Sequence, residues 1–164
     1  MEESKYTKII FEMAELGNTI SALLYFQKEI CLLNSWSYSE IWQLDQSEKF
    51  MVWAGYWSNK NSHFEKFAKY SSYFKFANGI GLIGKSWEQK HPVICDNLAA
   101  EQAFLRSDIA VKSKLNSMIA IPILKEDQVT NIISVYFDQI TEFDKKECAE
   151  VFNSLNQYSL NKIP

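Results

Sequence analysis

Two pairs of strand-like runs constrain the fold of this chain more than any other feature. Residues 36–44 and 50–57 form the first pair and residues 117–124 and 129–137 the second, and all four runs are rich in aromatic or β-branched side chains. A short polar segment separates the members of each pair. Such a segment between two strands is typical of a β-hairpin, so both pairs predict antiparallel strands.

The region before the first pair has helical periodicity. In residues 6–33, Ile9 and Met13 begin an apolar stripe that continues at helical spacing, and a second stripe runs beside it. The segment Gly17–Thr19 predicts a kink, or the end of one helix and the start of the next. Two interpretations remain open: a helix that packs only on its own domain, and a longer helix whose second stripe meets a partner chain.

Three segments lie between the two hairpins. Residues 64–77 predict an amphipathic helix, residues 93–95 a short strand and residues 99–114 a polar helix. Adjacent antiparallel strands with helices at both ends of the chain are typical of an α+β fold and not of a doubly wound parallel sheet. We therefore expect a single domain over residues 1–164, divided into a helical segment at 6–33, a sheet and pocket at 34–140 and a C-terminal helix at 141–163.

Composition excludes several classes of function. With 164 residues, a net charge of −3 and 47% apolar residues, the chain has the values of an ordinary globular domain and no excess of positive charge for nucleic acid. The longest wholly apolar run, Met118–Leu124, is far too short for a membrane span, and the N-terminus does not resemble a signal peptide. The three cysteines are too widely separated for a zinc site. We expect a cytoplasmic protein without nucleic-acid or membrane partners.

The stretch Gly79–Ser86 matches the phosphate-loop pattern G-x-x-x-x-G-K-S letter for letter. In such a loop Lys85 contacts the terminal phosphates and Ser86 holds magnesium, which defines an alternative hypothesis, a small nucleotide-binding phosphotransferase. The context favours a simple turn instead. The residues before the stretch have helical periodicity, Pro92 limits any helix after it, and the predicted strand order is antiparallel.

Several short motifs follow one another from this stretch onward. They are Gly79-x-Gly81-Leu82-x-Gly84-x-x-Trp87, His91-Pro92-Val93-x-x-Asp96, Phe104-Leu105-Arg106 and Ser117-x-x-x-x-Pro122-Ile123-Leu124. In this order and spacing they resemble a GAF domain, and more narrowly the GAF sensor modules of bacterial histidine kinases and cyclic-nucleotide-signalling proteins. The resemblance covers residues 6–160, essentially the whole chain.

The resemblance implies a central antiparallel sheet with the terminal helices on one face and a pocket on the other, roofed by residues 62–90 and 98–116. Members bind cyclic nucleotides, bilins, haem or small metabolites. A covalent bilin is not expected, because residues 109–116 lack the attachment cysteine of the bilin-binding members. In the branch that reduces free methionine sulfoxide, a cysteine occupies the position of Ile83 here, so no thiolate nucleophile is placed for that reaction.

We therefore expect a non-catalytic sensory or regulatory module that binds an unidentified small molecule or mediates dimerisation in signal transduction. It would act alone or within a larger signalling enzyme of a two-component system. The resemblance also implies a homodimer formed through the terminal helices. An arginine near the pocket roof could clamp an anionic ligand, although a salt bridge is an equal alternative. The predicted ligand-binding residues are Trp53, Phe76, Trp87, Phe104, Arg106, Ser117 and Tyr136.

Overall fold

The computed structural model describes residues 3–17, 19–60 and 62–157. Its helices are α1 (Thr7–Ala14), α2 (Thr19–Asn34), α3 (Glu65–Ser71), α4 (Gly81–Gln89), α5 (Ser107–Lys112) and α6 (Glu142–Gln157). Its strands are β1 (Tyr38–Leu44), β2 (Phe50–Ser58), β3 (Lys75–Ala77), β4 (Val93–Cys95), β5 (Ser117–Lys125) and β6 (Gln128–Phe137). A 3₁₀ turn covers Leu98–Ala100.

The six strands form one sheet in the order β3-β2-β1-β6-β5-β4, and every neighbouring pair is antiparallel. The hairpins β1–β2 and β5–β6 confirm both strand pairs expected from the sequence. The long pairing of β1 with β6 joins the two hairpins at the centre of the sheet. The fold is therefore α+β, as the sequence predicts. Within the described ranges, no helix is both long and apolar enough to cross a membrane.

One face of the sheet is covered by the terminal helices α1, α2 and α6. We call it the helix face. Its core is largely aliphatic, because Ile41 of β1, Ile121 of β5 and Ile133 of β6 point toward Leu23 and Ile30 of α2. Alternation along each strand sends every second side chain to this face. Both apolar stripes expected in residues 6–33 are used here, since Ile9, Met13 and Ile30 of one and Ile10 and Cys31 of the other are all buried.

A network of polar side chains, which we call the polar knot, joins the ends of the helices on the helix face. It consists of Lys5, Tyr6, Asn34 and Glu147. The hydroxyl of Tyr6 donates to the Glu147 carboxylate of α6 at 2.6 Å, and the ammonium of Lys5 lies 2.6 Å from the same carboxylate. The side-chain amide of Asn34, the last residue of α2, donates to the Tyr6 hydroxyl at 2.9 Å. The segment before α1, the end of α2 and α6 are thus joined at one point.

The opposite face, which we call the pocket face, is covered by α3, α4, α5 and the connecting loops. Its strands send Tyr38 and Trp42 of β1, Met118 of β5 and Tyr136 of β6 into a second buried cluster. A bulge between Ile41 and Trp42 shifts the register of β1 against β2. We call residues 97–112, which lie between β4 and β5 and include α5, the roof segment.

Three local expectations are wrong. Residues 64–77 do not form one helix: α3 ends at Ser71, and residues 75–77 join the edge of the sheet as β3 because Phe50, Met51 and Val52 of β2 pair with them. Residues 99–114 do not form one helix: they contain the end of the 3₁₀ turn, an irregular stretch and the six-residue α5. Alternation along residues 36–44 predicts Trp36 and Tyr38 on one face, yet Trp36 precedes β1 and packs on the helix face.

Of the C-terminal helix expected at 141–163, residues 158–163 lie outside the described residues.

Candidate functional site

The centre of the pocket face holds the guanidinium of Arg106, which is 1% exposed. Arg106 lies in the roof segment immediately before α5, and its side chain points down onto the sheet. One terminal nitrogen lies 3.1 Å from the Glu40 carboxylate and donates to the hydroxyl of Ser71 at 2.7 Å. The other donates to the hydroxyl of Tyr136 at 2.8 Å. The guanidinium therefore joins the roof segment to β1, β6 and α3.

Glu40 is the fixed partner of this ion pair. It lies in the middle of β1, between Tyr56 of β2 and Ser134 of β6, and it is fully buried. The hydroxyl of Tyr38 also donates to its carboxylate, at 2.8 Å. A buried carboxylate needs such partners because taking its charge out of water is costly.

Six aromatic rings surround the guanidinium, with centroids between 4.9 and 6.0 Å from its central carbon. Arginine is attracted to ring faces at such distances by the negative charge of the π system. Only one of the six rings belongs to the roof segment; the others come from the strands, from α3 and from the loop that follows α3. We call this set of rings the cage. It consists of Trp42, Phe67, Phe74, Phe76, Phe104 and Tyr136.

Burial sets the ionisation behaviour of this cluster. Burial raises the pKa of Glu40, and the positive charge of Arg106 opposes that rise. Burial also raises the pKa of Tyr136, again against the opposing effect of Arg106. The pKa of Arg106 is raised: burial alone would lower it, but Tyr136 and Glu40 outweigh that effect. The arginine is therefore a cation, and its positive charge favours the ionised form of Glu40 against the effect of burial.

The structure brings together four of the seven predicted ligand-binding residues. Phe76, Phe104 and Tyr136 belong to the cage around Arg106. The other three lie elsewhere.

Trp53 and Trp87 are half-buried at the margin of the pocket-face cluster, and the Trp53 indole nitrogen is buried without a hydrogen-bond partner among the described residues. Ser117 is placed away from the pocket: its hydroxyl accepts from the Ile140 backbone N–H at 3.1 Å, beside the helix face.

Sequence reasoning missed the residues that complete the cluster. Glu40 is the only charged residue of β1, a strand whose other residues are uncharged, and that isolation is a usable signal for a buried partner. Trp42 lies within the predicted strand at residues 36–44, and no sequence pattern places it at the pocket. Ser71 and Phe74 belonged to a predicted helix that does not continue past Ser71, so no sequence signal placed them beside the arginine.

The phosphate-loop stretch follows β3 and forms a turn that leads into α4, which begins at Gly81. That context is closer to a phosphate loop than the sequence indicated, but its donors are already used. The hydroxyl of Ser86 is buried and donates to the carbonyls of His91 and Ala120, at 3.2 and 3.4 Å. The amide of Gly84 donates to the carbonyl of Ile80 at 3.0 Å. Neither group is presented to a nucleotide or a metal ion.

All three thiols are buried and free. Burial raises the pKa of Cys31 to about 12 and the pKa of Cys148 well above its ordinary value, and both lie on the helix face. Cys95 is on the pocket face, where burial also raises its pKa. None is therefore activated as a thiolate. Within the described part of the chain, no group of three or more acidic, histidine or cysteine side chains could hold a metal ion.

A separate open cleft of about 430 Å³ lies where β1 begins and β6 ends. Lys60, His63 and Lys114 line it, together with Asp138 and Asp144. Both carboxylates are already hydrogen-bonded: Asp138 accepts from Asn116 at 2.9 Å, and Asp144 accepts from the Trp36 indole at 2.9 Å. The two lysines and the two aspartates that line this cleft balance in charge.

Comparison with known proteins gives this architecture a family. The family model of the GAF domain matches residues 22–159, so the chain belongs to the GAF domain family, a fold of signalling sensors and regulators. None of the curated proteins matches the sequence.

Solved structures share the fold at low identity. The A. aeolicus nlh2 GAF domain in an inactive state has a TM-score of 0.63 and 16% identity over 92% of this chain and 88% of that one. The GAF domain of a phosphoenolpyruvate-protein phosphotransferase from Coxiella burnetii has a TM-score of 0.67 and 15% identity, with 92% and 89% covered. Free methionine-R-sulfoxide reductase from Neisseria meningitidis has a TM-score of 0.63 and 14% identity, with 96% of both chains covered.

Proposed function

We propose that this chain is a non-catalytic regulatory GAF module in which the state of the pocket face is passed to the terminal helices. The observation that carries the proposal is the position of Arg106, which binds the roof segment to the two central strands. Any small molecule that enters between roof and sheet must disturb these contacts, and a ligand shifts an equilibrium when it binds one arrangement better than another.

A short chain of contacts leads from the pocket face to α6. Tyr136 receives the hydrogen bond from Arg106, while its neighbour Phe137 points to the helix face and contacts Trp36 with ring centroids 6.0 Å apart. The indole of Trp36 donates to Asp144 in the first turn of α6 at 2.9 Å. A displacement of Tyr136 therefore reaches α6 through one residue of β6 and one tryptophan.

A non-catalytic role is supported by the state of the reactive groups. The Neisseria protein with this fold is a reductase, but none of the thiols here is activated. The family resemblance also implies that Ile83 occupies the position of that branch's cysteine. Incubation with free methionine sulfoxide and dithiothreitol should give no methionine. Incubation with Mg-ATP should give no hydrolysis above the level of Lys85→Ala. Turnover in either assay would contradict the proposal.

The output is proposed to involve a second copy of the chain in the cytoplasm. The stripes of α1 and α2 are largely buried in the chain's own core, although Phe11 and Leu16 are exposed. The proposed apolar contact surface is the adjacent pair Leu32 (54% exposed) and Leu33 (49% exposed) at the end of α2. Light scattering should find a dimer for the wild type and a monomer for Leu33→Glu, with Lys28→Glu on the same helix as the control. A wild-type monomer would refute the pairing.

The coupling is tested by hydrogen exchange of the purified chain. Tyr136→Phe removes the hydroxyl that Arg106 contacts and keeps the ring. We expect faster exchange in the roof segment and a changed exchange rate in the first turn of α6. Trp36→Phe in the same background should return α6 to the behaviour of Trp36→Phe alone, because the link to Asp144 is absent. Unchanged exchange in α6 for Tyr136→Phe would contradict the proposal.

The matched control is Tyr25→Phe, which removes a hydroxyl from α2 that donates to Glu12 outside the pocket face. It should leave the roof segment unchanged. Native mass spectrometry of the protein purified from cells then asks whether a small molecule is retained. A retained molecule released by Tyr136→Phe would connect ligand occupancy to the same contact.

A further inference from the structure

The two partners of the buried ion pair differ in how firmly the fold holds them. Glu40 is on a central strand that pairs on both sides, with β2 and with β6. Arg106 is in the roof segment, where strand pairing has stopped at Cys95 and resumes at Ser117. The roof segment can therefore separate from the sheet without breaking a strand pair, and Glu40 cannot. When the roof lifts, the Arg106 guanidinium leaves and the Glu40 carboxyl group stays on the sheet, where a second cation would restore the partner that favours its ionised form.

What remains after this separation has a defined chemistry. Glu40 stays at the base, with the hydroxyls of Tyr38 and Ser71 beside it. Five of the six cage rings also stay, because only Phe104 travels with the roof segment. A carboxylate within an arrangement of aromatic faces is the chemistry that recognises guanidinium and ammonium groups.

Arg106 itself leaves one of its hydrogen-bond donors without a partner in this site. Its Nε–H is buried and has no hydrogen-bond partner among the described residues. A free cation is not tied to a backbone and can orient its donors on Glu40, Tyr38 and Ser71 without that loss. An anion, in contrast, would meet the carboxylate of Glu40 within a dry, aromatic surrounding, where repulsion is strong.

We propose that the cage is a binding site for a small organic cation, a guanidinium- or ammonium-bearing compound, which enters by exchange with Arg106. The side chain of Arg106 is then an internal stand-in for the ligand and holds the roof segment closed in its absence. This inference rests on the proposed regulatory function and names the ligand class of the same pocket. Ligand entry frees Tyr136 from the arginine, which is the first step of the route to α6.

The experiment uses methylguanidinium as the probe, urea as a planar neutral control and acetate as an anionic control. Binding is measured by calorimetry and by the Arg106 Nε–H signal in NMR spectra. For the wild type, methylguanidinium should shift that signal and speed hydrogen exchange across the roof segment. Urea and acetate at equal concentration should do neither.

Variants identify the site. Arg106→Ala removes the side chain that competes with the probe for the cage. Methylguanidinium should therefore bind at least about tenfold more tightly than to the wild type, because no binding free energy is used to displace the arginine. Arg106→Met is the second variant, which retains apolar volume should the alanine variant be unstable. The double variant Arg106→Ala/Glu40→Gln has the same space and no negative charge, and should lose the gain.

Each outcome decides a different statement. Equal affinity of Arg106→Ala and the double variant would overturn the cation site. Binding by Arg106→Ala without any effect on the wild type would overturn the exchange and make Arg106 a permanent occupant. Acetate binding within the cage would overturn the ligand class and leave the regulatory function intact. Cation binding that opens the roof without changing the exchange of α6 would refute the regulatory function and leave the cation site intact.

Discussion

The two faces of the sheet are both buried, yet they are built from different side chains. The helix face consists mostly of isoleucine, leucine and other aliphatic residues, and its polar knot lies at one edge. The pocket face adds a cage of aromatic rings to its aliphatic residues, and the charged pair lies at the centre of that cage. Aliphatic packing of the kind on the helix face would be enough on both faces if the chain needed only a stable core.

The two faces differ in what they contribute to the stability of the fold. Aliphatic packing stabilises in proportion to the area buried and tolerates small rearrangements. A buried ion pair gives little net stability, because the desolvation of both charges offsets their attraction. The pocket face therefore retains a feature that stability alone does not require, and its position between roof and sheet is the one that the proposed regulatory function needs.

The largest effect is expected when the ion pair loses its carboxylate. Glu40→Leu leaves the Arg106 guanidinium buried and unable to discharge, and should lower the free energy of unfolding by about 3–5 kcal/mol. The double variant Glu40→Leu/Arg106→Met replaces both charges by apolar groups and should recover most of that loss. Urea denaturation of the wild type, Glu40→Leu, Arg106→Met and the double variant measures the coupling free energy between the two side chains. A single variant that loses less than about 1 kcal/mol would show that the pair is not tightly held.

Arg106→Met alone should behave differently, because Glu40 can take up a proton. Without the arginine, the largest effect that opposes burial is lost, so the pKa of Glu40 in the folded state rises further. A group whose pKa is raised on folding favours the folded state below its unfolded pKa, and that contribution is lost as the pH rises through the folded pKa. The variant should therefore gain stability relative to the wild type as the pH falls.

Adjacent isoleucines on β6 allow the two faces to be compared directly. Ile132 belongs to the pocket-face cluster and Ile133 to the helix-face cluster, and both are fully buried. Each change to alanine should cost about 2–5 kcal/mol, since both leave a cavity. Native-state hydrogen exchange should separate them. Ile132→Ala should weaken protection in the roof segment, and Ile133→Ala in α2 and α6; the same pattern for both would contradict independent faces.

The helix face was the more predictable of the two. Period-two alternation in the hairpins and helical spacing in residues 6–33 define which side chains are buried, because aliphatic packing follows from periodicity alone. The break at Gly17–Thr19 also appears in the structure, between α1 and α2. The helix face therefore needed no knowledge of distant contacts.

The pocket face could be predicted only in part. Arg106, Phe104 and Tyr136 came from the position of motifs, but their partner Glu40 lies 66 residues from Arg106 along the chain, and no local pattern connects the two. Phe76 joins the cage through β3, a three-residue edge strand whose sequence has helical periodicity. Pairing with β2 outweighs that periodicity, which is a tertiary effect and cannot be read locally.

The smallest effect concerns the polar knot of the helix face and has the opposite dependence on pH. Burial acts to raise the pKa of Glu147, but the hydrogen bonds from Lys5 and Tyr6 overcome it and leave the pKa below its ordinary value of 4.5. A lowered folded pKa gives stability that is present above the unfolded value and is lost as the pH falls through the folded one.

Glu147→Gln should therefore cost about 1–2 kcal/mol near neutral pH, reduced from the value for a fully buried charged hydrogen bond because Lys5 is partly exposed. The difference from the wild type should shrink as the pH falls below 4.5. Glu142→Gln, an exposed side chain on the same helix, controls for the removal of one charge. A fall in pH thus weakens the polar knot on the helix face, but it stabilises the folded state of Arg106→Met relative to the wild type. A parallel response of Glu147→Gln and Arg106→Met would contradict the separate electrostatic control of the two faces.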